Sequence, residues 1–177
     1  MKFISFNHDN SEKFGIIENN LITDLTGKID GASSLKELIK IKKIKEAKEY
    51  AKNNPGSIKP DEIKYSPLIP NPGKIICVGL NYSEHVKETN RTVEENPVIF
   101  HRFPESQTAH MQAIQRPTVS ESLDFEGEMA VVMDEGGKHI KPEDALKHIV
   151  GFSCYNESTI REWQRHTRQF GMGKNFE

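Results

Sequence analysis

The stretch Leu123-Asp124-Phe125-Glu126-Gly127-Glu128-Met129-Ala130-Val131-Val132-Met133 places Glu126 and Glu128 two residues apart at the entrance of an apolar, strand-like run. In an extended chain, residues i and i+2 project to one face, so both carboxylates share a side, and Asp124 continues the same parity. Like charges held that close repel unless something positive sits between them. A hard divalent cation with oxygen ligands is the economical answer. Alternating acids also occur on ordinary exposed strand edges, so the spacing by itself leaves both readings open.

Working outward, the chain of 177 residues has room for one good core plus a small appended unit. It carries 24 basic and 26 acidic residues, a formal net charge of −2, which gives no global field to recruit nucleic acid or an anionic membrane surface. The lysines between Lys36 and Lys52 read as a solvated helix face diluted by Glu37, Glu46 and Glu49, with no aromatic platform beside them for stacked bases. Apolar runs are far too short for a membrane span, and Met1-Lys2-Phe3-Ile4-Ser5-Phe6 leads into polar residues, so the sequence predicts a cytoplasmic protein. Cys77 and Cys154 lie in apolar segments and are expected to be buried, reduced thiols.

Residues 1–70 read as a small α+β domain with a linker. Short strands are expected near residues 2–6, 13–17 and 20–24, the last two joined at Glu18-Asn19-Asn20. A helix capped by Ser34, with Glu37 three residues on, carries the stripe Leu35, Leu38, Ile39, Ile44, Ala47 and Ala51 up to Asn53-Asn54-Pro55-Gly56. The prolines 67, 70 and 72 mark the boundary. Beyond it, Lys74–Gly79 reads as a buried strand, Pro97–Phe100 and Glu128–Met133 as further strands, Pro142 as a helix start, and Gly151–Tyr155 as a strand. A second helix is expected from about Ser158 to Arg168, capped by Ser158 or Thr159.

Two more constellations could carry chemistry. Glu157, Arg161 and Gln164 fall at i, i+4 and i+7, which on a helix is one face, and an exposed Glu-to-Arg pair is the ordinary explanation of that spacing. His85 and Glu88 lie three apart after the turn Gly79-Leu80-Asn81-Tyr82. A carboxylate beside an imidazole fixes its tautomer and raises its basicity, as a water-activating base requires, although a plain helix pair has the same spacing. The other histidines show no zinc-type spacing.

Taken in order, Lys74–His85, Asn96–Phe100, Leu123–Val132, Gly151–Glu157, Arg161-Glu162-Trp163-Gln164 and Gly173-Lys174-Asn175-Phe176 resemble the fumarylacetoacetate hydrolase family. The resemblance implies an α+β, mostly β fold. In it a mixed β-roll, here its N-terminal portion over residues 71–177, carries the catalytic site and follows a small N-terminal domain. It implies a Mg2+ or Mn2+ site at Glu126, Glu128 and Glu157, the last in a position where the family usually has Asp. It further implies a water-activating dyad of His85 and Glu88, with Arg161, Gln164 and Lys174 holding substrate oxygens. The implied activity is hydrolase or lyase-type: a small 2-oxo or 1,3-dicarbonyl acid chelates the cation, and a carbon–carbon bond breaks to release an enolate whose charge the cation and Lys174 stabilise. Isomerisation or decarboxylation of 2-oxo acids at the same site is the alternative. Family members usually form homodimers. Because Gly173-Lys174-Asn175-Phe176-Glu177 stops inside a motif, the sequence also raises the expectation of a C-terminally truncated member. Such a chain would need a complementing C-terminal fragment or serve as a non-catalytic assembly module.

Overall fold

The structure, a computed structural model, describes residues 1–82 and 96–176. It is a mixed α+β arrangement with more strand than helix, and it divides into two compact units. The first comprises Met1–Pro70, Thr108–Ala113 and Gly127–Tyr155; the second comprises Asn71–Gln107, Ile114–Glu126 and Asn156–Glu177. Residue 70 thus ends a segment of the first unit, to which the later strands between Gly127 and Tyr155 also belong.

The first unit is built on strands β1 (Lys2–His8), β2 (Ser11–Glu18), β3 (Leu21–Asp24) and β4 (Lys64–Tyr65), hydrogen-bonded in the order β3-β2-β1-β4 with antiparallel pairing throughout. Two-residue turns set the register. Asp9 and Asn10 (φ 52° and 57°) join His8 to Ser11, and Asn19 and Asn20 (φ 49° and 61°) join Glu18 to Leu21. Asn and Asp tolerate the left-handed conformation that such turns demand because their side chains can hydrogen-bond locally. Against this sheet pack α1 (Leu35–Lys40) and α2 (Ile44–Asn53), and the shared core holds Phe14, Ile16, Leu25, Ile29, Leu35, Leu38, Ala47 and Ala51. Ser34 caps α1 as expected, its Oγ accepting the Glu37 N–H at 3.2 Å. The single helix expected here is broken. Lys42 turns left-handed (φ 59°), and the Lys42 and Lys43 N–H groups close onto the Ile39 and Leu38 carbonyls, so the apolar stripe reaches one core from two short helices.

Strand β8 (Gly127–Met133) alternates, with Glu128, Ala130 and Val132 half-buried and Met129, Val131 and Met133 exposed; it pairs with β9 (Ile149–Asn156). Val132 and Val150 pack on the first unit's core. The helix expected at Pro142 is a 3-10 segment, Pro142–His148. Cys77 and Cys154 are both unbridged thiols, but Cys154, expected to be buried, is exposed on β9.

In the second unit β5 (Ile75–Gly79) and β6 (Val98–Arg102) form an antiparallel pair with Cys77 opposite Phe100. The expectation of a buried strand at Lys74–Gly79 is corrected: Ile76, Val78 and Ile99 are exposed, so only the other face of the pair turns inward. Strands β7 (Leu123–Asp124) and β10 (Thr159–Ile160) pair antiparallel, Thr159 opposite Asp124. Two four-residue helices follow, α3 (Arg161–Gln164) and α4 (Gly171–Lys174). The long helix expected over Ser158–Arg168 does not form. Thr159 and Ile160 are committed to the β7 ladder, and the Thr159 hydroxyl, instead of capping, donates to Glu126 and to the Glu157 carbonyl.

Candidate active site

The acidic stretch is not one strand. β7 ends at Asp124, β8 begins at Gly127, and Phe125 and Glu126 span the break, with the Glu126 N–H bonded to Asn156 Oδ1 (3.0 Å) and its carbonyl receiving the Glu157 N–H (2.9 Å). That exchange ties the two glutamates together through the backbone. Their side chains then meet over Lys174, whose Nζ lies 2.9 Å from Glu126 Oε1 and 2.7 Å from Glu157 Oε2. Lys174 is 2% exposed and sits 5.0 Å from the centre of the Phe100 ring. A cation over an aromatic face gains from the ring quadrupole, more so when water is excluded.

Lys174 reaches this point because α4 packs tightly under α3. A Cβ on Gly173 would lie 2.3 Å from the Gln164 backbone nitrogen and 2.5 Å from the Ile160 carbonyl oxygen, so only glycine permits the approach. Phe170, just before α4, takes a left-handed conformation (φ 62°) and is held by an edge-on contact with Phe100 at 5.8 Å. The Asn175 side chain accepts the Phe103 N–H at 2.8 Å and donates to the His101 and Gly171 carbonyls, clipping α4 to the end of β6.

Two guanidinium groups complete the network. Arg102 donates from Nη1 to Glu157 Oε1 (2.8 Å) and to the Ser158 carbonyl (2.9 Å), with both Arg102 and Glu157 side chains under one-tenth exposed. Arg161 donates from Nε to Asp124 (2.8 Å) and from Nη1 to Glu126 Oε1 (2.7 Å) and Gln164 Oε1 (3.2 Å). The spacing that suggested a Glu157–Arg161 helix pair is therefore resolved differently: Glu157 precedes the helix, and Arg161 serves Asp124 and Glu126. Its own helix start is anchored by Ser122, whose carbonyl accepts the Arg161 N–H, while Ser120 bridges to Glu162. Asp124, Glu126 and Glu157 are thus matched one for one by Arg102, Arg161 and Lys174. The repulsion expected of the clustered acids is relieved by the protein's own cations.

Arg102 enters the site; the sequence offers it only as one of two residues, with Ser106, within reach of the site, and assigns it no position. The alternation along β6 carries the signal: Phe100 and Arg102 share a parity and are buried, whereas Ile99 and His101 are exposed. A charge on the inward parity of a strand requires a buried partner. Of the other expected residues, Glu128 stands on β8 in the first unit and is not part of this network, and His85 and Glu88 lie outside the described residues. Among the described residues no three His, Cys, Asp or Glu side chains form a group that could hold a metal ion. As to fit, Glu126 and Glu157 supply the hard oxygen donors that Mg2+ or Mn2+ takes, already converging on one cation, the Lys174 ammonium.

The two glutamates titrate in opposite directions. Burial pushes Glu126 up, but hydrogen bonds from Lys174 and Thr159 and the charges of Lys174 and Arg161 outweigh it and hold the group below the usual range. Burial dominates at the more enclosed Glu157 and raises it despite Lys174 and Arg102, so Glu157 is the first of the two to take a proton. The sign for stability follows. A depressed Glu126 stabilises the fold above the ordinary glutamate value, about 4.3, and this contribution is lost as pH falls through its lower folded value. The stability difference between wild type and Glu126→Gln, from denaturant midpoints, is expected to shrink from neutral pH toward about pH 3; a difference constant over that span would contradict the ionised network.

The family model for the C-terminal domain of fumarylacetoacetate (FAA) hydrolase matches residues 74–177, and the chain belongs to this family. Among relatives, it is 38% identical over 117 residues to the mitochondrial oxaloacetate tautomerase Fahd2a of Rattus norvegicus, a match covering 66% of this chain and 37% of that one. It is 40% identical over 111 residues to the mitochondrial oxaloacetate tautomerase fahd2 of Xenopus laevis, covering 62% and 35%. The solved fumarylacetoacetate hydrolase of Exiguobacterium antarcticum superposes on all of this chain and 62% of its own, with a TM-score of 0.83 and 29% identity. The chain therefore spans 35–37% of the length of these two tautomerases and 62% of the solved hydrolase. Those relatives are named as mitochondrial, which lends no support to a cytoplasmic placement; among the described residues no helix is long and apolar enough to cross a membrane.

Proposed function

We propose that this chain contributes the carboxylate and cation half of a divalent-metal-dependent site that acts on a small 2-oxo or 1,3-dicarbonyl acid through its enolate form. The observation that supports this reading most is the placement of Lys174, nearly water-free, between Glu126 and Glu157 and beside Arg161. A buried ammonium next to a guanidinium suits the oxyanion that appears when an oxo acid enolises, because preorganised charge in a dry site costs no reorganisation during reaction. Glu126 and Glu157 would supply hard oxygen donors to Mg2+ or Mn2+, which when bound would polarise the substrate carbonyl. Arg161, steered by Asp124 and Gln164, would orient the substrate carboxylate. His85, tuned by Glu88, would move the proton.

Two reactions share these roles. Carbon–carbon cleavage needs His85 to activate water, whereas tautomerisation needs only proton transfer at the carbon next to the carbonyl, and the names of the relatives at 36–40% identity favour the latter. A homodimer, or a complementing polypeptide, is part of the proposal on the family resemblance alone. The test begins with Mn2+ titration of wild type and Glu126→Ala: affinity is expected to fall sharply in the variant, and equal affinity would remove the site. Oxaloacetate enol-to-keto conversion and acylpyruvate hydrolysis are then measured with His85→Ala. Loss of both places the proton transfer on His85; retention of both removes the dyad.

A further inference from the structure

Both carboxylate oxygens of Glu157 already accept a hydrogen bond from a cation. Oε1 accepts Arg102 Nη1 at 2.8 Å, and Oε2 accepts Lys174 Nζ at 2.7 Å. The two cations are not equally fixed. Arg102 is anchored a second time by the Ser158 carbonyl at 2.9 Å and stands on a paired strand, 6% exposed. Lys174 is held by the two glutamates and the face of Phe100, on a helix of four residues, by an unbranched four-carbon stem. Glu126 meanwhile crowds three donors, from Arg161, Thr159 and Lys174, onto Oε1, while among the described residues its Oε2 accepts no hydrogen bond.

We propose that Lys174 and a divalent cation are mutually exclusive occupants of the Glu126–Glu157 pair, so that metal enters by displacing the lysine ammonium and thereby frees Lys174 for an anionic ligand. The inference rests on the metal reading above. In the present arrangement three carboxylates balance three cations, which holds the glutamates converged without a metal. Adding a dication beside an unmoved Lys174 would set like charges against each other across the same two oxygens. Exchange avoids this: Glu157 and Glu126 would supply ligand oxygens, Arg102 would keep Glu157 oriented, and the lysine side chain would turn toward solvent. No bond is made or broken apart from coordination, and no proton needs to be lost. The positive surplus then faces the place where an oxo acid would bind, so that metal loading prepares the anion contact.

The experiment uses the full 177-residue chain. Mn2+ binding is followed by the spin-resonance signal of the free ion, and lysines are acetylated with and without saturating Mn2+ and mapped by peptide mass spectrometry. Lys174, 2% exposed, is expected to be protected without metal and to become labelled on saturation, while the exposed Lys40 and Lys147 react alike in both states. Lys174→Met, which removes the competing charge, is expected to bind Mn2+ at least about tenfold more tightly than wild type, roughly 1.4 kcal/mol. Saturation by Mn2+ with Lys174 still protected overturns the exchange, whether or not the variant folds. An unchanged or weaker affinity in a folded Lys174→Met does so as well. If neither protein binds Mn2+, the metal reading itself fails and the exchange with it, an outcome distinct from binding without release.

Discussion

Arg102→Met is expected to lower the stability of the folded chain by about 3–5 kcal/mol, the usual cost of stranding one member of a buried ion pair. Arg102 and Glu157 are 4% and 7% exposed at their side chains, so water cannot replace the lost guanidinium. Glu157 would retain only Lys174, which it already shares with Glu126. Arg102 also leaves its Nε without an acceptor among the described residues. The pair is therefore imperfect as a source of stability, and joint removal should cost less than removal of one partner. Arg102→Met combined with Glu157→Gln is accordingly expected to be more stable than Arg102→Met alone. Urea midpoints of the two single variants and the double variant check this as a thermodynamic cycle. Additive losses would show that the two side chains do not act as a pair.

Gly173→Ala is the other substitution with a large expected effect, and it acts on geometry without touching a charge. The new methyl group would overlap the Gln164 nitrogen, the Ile160 carbonyl oxygen and the Gln164 Cα at 2.3, 2.5 and 2.6 Å. All three atoms are backbone, so no side chain can swing aside, and α4 must move off α3 and β10. Overpacking of this kind costs roughly 1–3 kcal/mol, and the absence of any flexible neighbour places this site at the upper end. Because Lys174 is the next residue, the displacement is expected to withdraw its ammonium from Glu126 and Glu157. Acetylation of Lys174 in the absence of metal, expected to be minimal in wild type where the side chain is 2% exposed, should then become as fast as at an exposed lysine. A variant that melted like wild type with Lys174 still protected would contradict the proposed packing.

Much of the first unit was legible before the structure. Alternating apolar positions and the Asn-rich turns located β1, β2 and β3, and Ser34 with Glu37 located the start of α1. These features are local: a turn needing left-handed residues or a cap needing a hydroxyl is written into neighbouring positions. The break at Lys42 was written in the sequence as a phase jump: at 3.6 residues per turn Ile44, Ala47 and Ala51 fall roughly opposite Leu35, Leu38 and Ile39, so one straight helix could not bury both sets and two short helices do. A longer-range effect explains Ser158–Arg168. Its composition suits a helix, but Thr159 and Ile160 gain more from pairing with Asp124 and Leu123, partners 35 and 37 residues away in sequence.

In the site, residue chemistry could be read from the chain and residue partnership could not. The sequence by itself determined that acids were concentrated near Asp124, Glu126 and Glu157, that basic and amide groups stood at Arg161, Gln164 and Lys174, and, through the order of its motifs, which family the chain belongs to. Only the tertiary structure decided that Lys174 lies between two glutamates, that Arg161 serves Asp124 and Glu126 instead of Glu157, and that Arg102 is the second cation on Glu157. The physical reason is range. Side-chain type and strand parity are properties of adjacent residues, whereas an ion pair in a dry interior depends on which distant segments the backbone brings within 3 Å, and that is settled by the packing of strands and helices far apart in sequence.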